Sequence, residues 1–251
     1  AEILDGRITA LAVEIATDAR DVEAAQRLRC RVFGDEMGAR IASRASGRDH
    51  DYFDPWCEHL VVRDVVADDI VGTYRILTPE RAQQLGTYYA DTEFELSRLA
   101  PIRPRTVEIG RACVAPAYRT GATLMLLWQG LAAFMQARGH AYLIGCASIS
   151  MRDGGANALA IWRDVAPRHL APAEYRVFPR HPLAASPERG APGPAAHEAA
   201  VPSLLRGYLR MGAWIGGEPA WDPDFNTADL FLLMPLARLA RPYARHYLTA
   251  A

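Results

Sequence analysis

The chain has 251 residues, of which 50% are hydrophobic, and its formal net charge is −1. This length can bury a sizeable core, and the balanced charge gives no overall attraction to nucleic acid or anionic membranes. All 28 lysine-plus-arginine positions are arginine, which excludes both Schiff-base catalysis by lysine and a Walker-type phosphate loop.

The spacing of the cysteines gives an expectation about the cellular compartment and about metal binding. Four cysteines, at positions 30, 57, 113 and 146, lie far apart in the chain. No two of them have the spacing of a metal or redox motif, so we expect reduced thiols, no metal site and a cytoplasmic location. No segment has the shape of a signal peptide or a membrane span, and we expect at most peripheral contact with the inner membrane face.

The N-terminal third predicts a strand, a helix and a loop. The stretch ITALAVEIA (8–16) has the composition of a strand. A helix is predicted from Asp18 or Asp21 to about Met37, with Gly38 as its stop. Residues 39–57 are polar and rich in Arg and Asp, so we predict a loop there.

The middle of the chain predicts a hairpin and a long helix. HLVVRDVV and IVGTYRIL flank residues 67–69 and indicate two antiparallel strands. A short helix is predicted to start at Pro79, which suits a first helical turn. A strand is predicted over 107–114 and a helix over about 120–138, closed by Gly139.

The remaining elements complete a mixed α/β pattern. The predictions are a buried strand (141–149), a helix (156–166), a short helix at SLLRGYLRMGA, a strand (229–234) and an amphipathic C-terminal helix (235–248). Residues 179–202 contain six prolines and predict a Pro/Ala-rich loop. Strands and helices alternate irregularly, so we predict one mixed α/β domain over 1–251, a central twisted sheet flanked by helices.

The strand-to-helix join at Arg119, Thr120, Gly121 and Ala122 is the strongest candidate for an anion site. The amides and the dipole at a helix N-terminus attract anions, and Gly121 permits close approach. Neither GxxxxGK[ST] nor GxGxxG is present. The alternative interpretation is a helix start with no ligand.

Longer motifs give a family resemblance. The join V-x-P-x-Y-R-x-G-A resembles the acyl-donor loop of the GNAT acyltransferase fold. RLRCRVFGDEMGA, HDYFDPWCEHLVVRD and GYLRMGAWIGGEPAWDPDFNTADLF resemble the acyl-carrier-protein-dependent L-ornithine N-acyltransferases, from about residue 10 to the C-terminus. A more distant resemblance is to acyl-homoserine-lactone synthases. It is carried by these residues: Arg29, Phe33, Asp51, Asp54, Arg75 and Glu108.

The resemblance implies an activity and a donor. An acyl group, such as a 3-hydroxyacyl group, would move from the phosphopantetheine arm of an acyl carrier protein to the α-amine of L-ornithine. The product would be lyso-ornithine lipid, the first intermediate of ornithine lipid biosynthesis. Transfer would be direct, with no acyl-enzyme and no bound cofactor, and Arg119 to Ala122 would hold the donor phosphate.

Two further sets of residues are predicted for the chemistry. An attacking amine must lose its proton, and Glu108 is the predicted general base with Arg111 beside it; the alternative is a structural Glu108–Arg111 pair. Backbone N–H groups of Cys113 and Val114 are predicted to stabilise the oxyanion. A cysteine nucleophile would need a base partner, and the sequence indicates none.

Charged residues are predicted for the amino-acid substrate. Glu36, Asp51 and Asp54 would meet its ammonium groups, and Arg75 or Arg111 its carboxylate. An internal salt-bridge network that shapes the loop explains Asp51, Asp54 and Arg75 equally well.

Three other groups of residues have two interpretations each. Arg103, Arg105 and Arg119 would dock an acidic carrier protein, or are scattered surface charges. Met125, Leu127 and Trp128 would line an acyl tunnel, or are core residues. Residues 236–248 would lie on a membrane, or cover the sheet.

Two other functions remain open from sequence. One is a coenzyme-A-dependent N-acyltransferase acting on another amine. The other is a catalytically silent module that binds an acyl carrier or a membrane surface.

Overall fold

The computed structural model describes residues 2–4, 7–183 and 201–239. Its strands are β1 (Glu2–Leu4), β2 (Arg7–Thr9), β3 (Leu11–Ile15), β4 (Glu58–Asp64), β5 (Asp69–Leu77), β6 (Phe94–Glu95), β7 (Thr106–Val114), β8 (Tyr142–Ser150), β9 (Phe178–Pro179), β10 (Trp214–Ile215), β11 (Ala220–Asp222) and β12 (Thr227–Pro235). The α-helices are α1 (Ala19–Arg29), α2 (Pro79–Leu85), α3 (Gly121–Ala137), α4 (Ala156–His169) and α5 (Ser203–Met211). Most of residues 179–202, and of the predicted C-terminal helix, lie outside the described part.

The chain divides into two compact units. The first contains the residues up to Leu85 together with Val107–His140, and the second contains Gly86–Thr106 and the described residues from Ala141 onward. In the described part of the chain, we find no helix with the length and apolarity needed to cross a bilayer.

The sheet of the first unit is antiparallel throughout. Strand β3 pairs with β4, β4 with β5, and β5 with β7. Helix α3 packs across β3, β4 and β5. A Cβ on Gly130 would lie 2.7 Å from Val13 Cγ2, and one on Gly72 would lie 3.2 Å from Thr123 Cγ2. These two glycines therefore set how closely α3 approaches the sheet.

The other face of this sheet is covered by α1. Helix α1 contacts β4 and β5, and its N-cap Asp18 accepts a hydrogen bond from Arg20 N at 2.7 Å. The helix continues as a π-helical segment over Cys30–Glu36 and stops where Gly38 adopts φ 79°. The predicted end of this helix is confirmed. The π-helical segment was not predicted, because residue types do not distinguish α-helical from π-helical hydrogen bonding.

The second unit is built on a long strand pair. Strands β8 and β12 pair antiparallel from Thr227↔Ser150 to Pro235↔Tyr142, and both β10 and β11 pair with β12. Strand β6 pairs with β9, and the ring of Phe94 meets that of Phe231 edge-on at 5.6 Å. The sequence analysis predicted β8, β12, α4 and α5 but missed the strands of two or three residues, whose patterns are too short to detect.

Candidate active site

Strand β7 carries the candidate base beside a bulge. Its register against β5 shifts between Thr73 and Arg75, and Arg111 there has φ 51°. A non-glycine residue in this left-handed region costs energy, and such bulges concentrate next to active sites. Glu108 is opposite Leu77 and is only 5% exposed. Because side chains alternate along a strand, Glu108 projects on the α1-facing side of the sheet, as Arg75 does.

A buried network of charges lies on that same side. Asp54 accepts hydrogen bonds from Arg29 Nη2 (2.6 Å) and Arg75 Nη1 (2.9 Å). Asp51 accepts from Arg75 Nη1 (2.6 Å) and Arg111 Nη2 (3.1 Å). These five side chains come from α1, β5, the β7 bulge and the loop before β4, so the network fixes the loop against the sheet.

Two further members of the network were missed from sequence. Asp49 Oδ2 lies 3.0 Å from Arg29 Nε and 3.3 Å from Arg111 Nε, and His59 Nε2 lies 3.8 Å from Asp54 Oδ1. A single polar residue in a loop or strand gives no periodic pattern in the sequence, so neither Asp49 nor His59 could be predicted as a site residue. With Asp49 included, three aspartates face three arginines.

Burial and charge act in opposite directions on two groups of the network. Burial would raise the pKa of Asp54, but the positive charges of Arg29 and Arg75 outweigh it and hold that pKa well below its ordinary value. Burial lowers the pKa of His59 to about 4, and the Arg29 charge adds to this. At neutral pH the network therefore holds an ionised Asp54 and a neutral His59.

The structure brings together only some of the residues predicted for the amino-acid substrate. Asp51, Asp54 and Arg75 belong to the network, and Asp54 and Arg75 are 6% and 4% exposed. Their contacts fit the salt-bridge interpretation. Glu36 instead pairs with Arg119. Asp51 and Arg111 are the more accessible members, with side chains 26% and 12% exposed.

The strand-to-helix join has the geometry of an anion site. Thr120 is the N-cap of α3, and Gly121 is its exposed first residue. A Cβ on Gly121 would meet no atom within 4 Å, and the Thr120 side chain makes no capping hydrogen bond to the first-turn amides, which suits an anion ligand there. Arg119 Nη2 donates to Glu36 Oε2 at 2.6 Å, and its Nε donates to the Val114 carbonyl at 3.1 Å.

The register distinguishes the two amides predicted to stabilise the oxyanion. Ala115 N donates to Val71 O at 2.8 Å, and Gly72 is opposite Val114. Hydrogen-bonded and non-hydrogen-bonded pairs alternate in antiparallel sheets, so the Val114 N–H points away from β5. By the same alternation, the Cys113 N–H points toward β5. Val114 is therefore the better candidate of the two.

Two cysteines of this unit, Cys113 and Cys57, are poor nucleophiles. Burial raises the pKa of Cys113 and of Cys57 to about 12 in each case. The thiolate is the reactive form, so both groups are held in the inert state.

The structure places residues of two other predicted surfaces. Leu127 is 1% exposed and belongs to the core, while Met125 is 39% exposed. In the second unit, Arg103 Nη2 donates to Asp91 Oδ2 at 2.6 Å and its guanidinium stacks on the Tyr88 ring. Arg103 is thus already engaged in an internal pair.

Residues 28–129, which contain the network, the β7 bulge and the α3 N-terminus, match the Acetyltransferase (GNAT) domain model. The protein is a GNAT-class acyltransferase by fold.

Relatives extend the match to nearly the whole chain. L-ornithine N(alpha)-acyltransferase of Brucella abortus is 35% identical over 98% of this chain and 91% of its own length. The protein of the same name from Agrobacterium fabrum is 37% identical over 98% of this chain and 88% of its own. The chain belongs to the L-ornithine N(alpha)-acyltransferase family, and the predicted resemblance is confirmed.

Solved structures confirm the predicted fold. The CoA-dependent acyl-homoserine lactone synthase BjaI aligns with a TM-score of 0.56 at 16% identity, over 96% of this chain and 88% of its own. FeeM, an N-acyl amino acid synthase from uncultured soil microbes, aligns with a TM-score of 0.54 at 10% identity, over 94% and 98% of the two chains. At these identities the likeness defines the fold alone.

Proposed function

We propose that this protein transfers an acyl group from an acyl carrier protein to the α-amine of L-ornithine and so forms lyso-ornithine lipid. Family membership over almost the full chain supports the reaction. The observation that carries the proposal is the buried Glu108 on β7, in the same unit as the open N-terminus of α3.

The proposed reaction is a direct transfer in one addition and one elimination step. The α-amine nitrogen attacks the thioester carbonyl carbon, and Glu108 takes an amine proton directly or through water. The oxyanion of the tetrahedral intermediate accepts a hydrogen bond from the Val114 N–H. The C–S bond then breaks, the amide forms, and the carrier thiolate leaves and takes up a proton.

The donor arm would bind beyond the C-terminal end of β7, and the amino acid would bind at the bulge of this strand. The phosphopantetheine phosphate would accept hydrogen bonds from the first-turn amides of α3 and from Arg119, which Glu36 must release. The amino-acid carboxylate would bind Arg111, and an ammonium would bind Asp51, because these are the accessible members of the network. Arg29, Arg75 and the remaining aspartates would then support these two side chains.

A donor and acceptor matrix tests the proposal. Purified protein is mixed with 3-hydroxyacyl carrier protein or 3-hydroxyacyl coenzyme A and with L-ornithine, L-lysine or L-glutamine, and free thiol is followed. Release from the carrier donor that requires ornithine supports the proposal. Faster release from the coenzyme A donor would overturn the donor assignment, and no release with any amine would overturn the activity.

A matched substitution tests the base. Glu108→Gln keeps the size of the buried side chain but cannot accept the proton, and we expect kcat to fall by about 10²-fold or more. Glu58→Gln is the control, because Glu58 lies on β4 and pairs with Arg138 at the surface. Equal activity of the two variants would remove Glu108 from the mechanism.

A further inference from the structure

The second unit contains a cluster of donor atoms, on two buried acids and one half-buried cysteine, that the acyl-transfer chemistry does not use. Carboxylate oxygens of Glu93 and Asp229 and the Cys146 sulfur all lie within 4.8 Å of one another. Glu93 is 8% exposed and Asp229 is 4% exposed. The three residues are far apart in sequence, which is why spacing alone gave no sign of a metal site.

The fold places these side chains together for identifiable reasons. Asp229 on β12 is opposite Ser148 on β8, and Cys146 is opposite Phe231. Residues two apart share a face of a strand, so Cys146 and Asp229 are diagonal neighbours on one face. The edge-on contact of Phe231 with Phe94 holds the segment that follows Glu93 against this face.

Several polar atoms of the cluster are buried without a hydrogen-bond partner. Within the described ranges, the carboxylate oxygens of Glu93, Asp229 Oδ1 and the Thr227 hydroxyl make no hydrogen bond of ordinary geometry. Tyr89 lies near enough to Glu93, and Ser148 and Thr227 near enough to Asp229, to lower the pKa values of these acids, but burial raises both pKa values overall. A third carboxyl group, Asp222, is 8% exposed and interacts with both acids. Buried acids in such surroundings must share protons or bind a cation, because isolated buried charges are costly.

The composition of the cluster favours a cation of a particular kind. A thiolate is a soft ligand that selects Zn²⁺ and similar ions, whereas Mg²⁺ and Ca²⁺ take oxygen ligands. Zn²⁺ bonds to sulfur at about 2.3 Å and to carboxylate oxygen at about 2.0–2.2 Å, and the three ligand atoms here lie within 4.8 Å of one another. We propose that Glu93, Cys146 and Asp229 bind one Zn²⁺ ion, which ties the Glu93 segment to strands β8 and β12.

Cobalt substitution gives a readout that requires the sulfur ligand. Untagged protein is dialysed against chelator and titrated with Co²⁺, and the thiolate-to-cobalt charge-transfer band in the near ultraviolet is recorded. The proposal predicts a band that saturates at one equivalent, that Zn²⁺ abolishes, and that persists in Cys57→Ser, a cysteine of the other unit. It predicts loss of the band in Cys146→Ser. A band that is absent from the wild-type protein, or unchanged in Cys146→Ser, overturns the proposal.

Thermal unfolding provides a second measurement and a check of folding. Zn²⁺ is expected to raise the Tm of the wild-type protein and of Cys57→Ser, but not of Cys146→Ser or Glu93→Gln. If Glu93→Gln is folded and more stable than wild type while Zn²⁺ has no effect on either protein, the carboxyl groups share a proton instead, and the metal proposal is wrong.

Discussion

Protonation of His59 should set the acid stability of the first unit. Burial lowers the pKa of this imidazole from 6.5 to about 4. As pH falls from 6.5 to about 4, the His59 imidazole becomes protonated in the unfolded chain but not in the folded protein. The free energy of unfolding therefore falls over this window and levels below it. At about 1.36 kcal/mol per pKa unit, the loss is about 3 kcal/mol.

His59→Gln removes this titration and should flatten the stability profile. Urea unfolding at pH 7.5, 6.5, 5.5 and 4.5 gives the free energy of unfolding of wild type and variant at each pH. We expect the difference between them to change by 2–3 kcal/mol across the series, whatever its value at pH 7.5. His50→Gln, at an exposed histidine, is the control. Parallel profiles for wild type and His59→Gln would refute the reasoning.

Three further predictions concern other parts of the first unit. Asp54→Asn leaves the buried charges of its arginine partners uncompensated, so it should lower the free energy of unfolding by about 3–5 kcal/mol in urea titrations. Asp35→Asn removes one partner of an exposed ion pair and should change the free energy of unfolding by less than about 1 kcal/mol. Glu36→Gln should lower the donor KM by up to about fivefold in the thiol-release assay, because Arg119 becomes available; an increase would place Glu36 in substrate binding. Cys113 should resist iodoacetamide at pH 8 until the protein is unfolded, and rapid alkylation of the folded protein would show a reactive thiol.

The elements with long, strong patterns were predictable from sequence. Helix α3 has an apolar sequence bounded by Gly121 and Gly139, and the structure places it at Gly121–Ala137. The β4–β5 hairpin follows from two apolar runs around acidic turn residues. The end of α4 differs from the prediction. This helix was predicted to end at 166, but it continues through Pro167 to His169. A proline in the last turn loses one hydrogen bond without stopping the helix.

The site was predictable as a set of residues but not as a set of contacts. The resemblance selected Arg29, Asp51, Asp54 and Arg75, yet their mutual pairing depends on how the loop folds against the sheet. The bulge at Arg111 likewise depends on pairing with β5, which residue type does not encode. Distances between strands and loops are set by the tertiary fold, so sequence patterns carry no direct signal for them.

The most direct test of the central claim is the position of the new amide bond. Protein, 3-hydroxyacyl carrier protein and L-ornithine labelled with ¹⁵N at the α-nitrogen are incubated, and the lipid product is fragmented in a mass spectrometer. The account predicts that the acyl-amide fragment carries the ¹⁵N label and that the side-chain amine remains free. An unlabelled acyl-amide fragment, from acylation of the side-chain nitrogen, would contradict it.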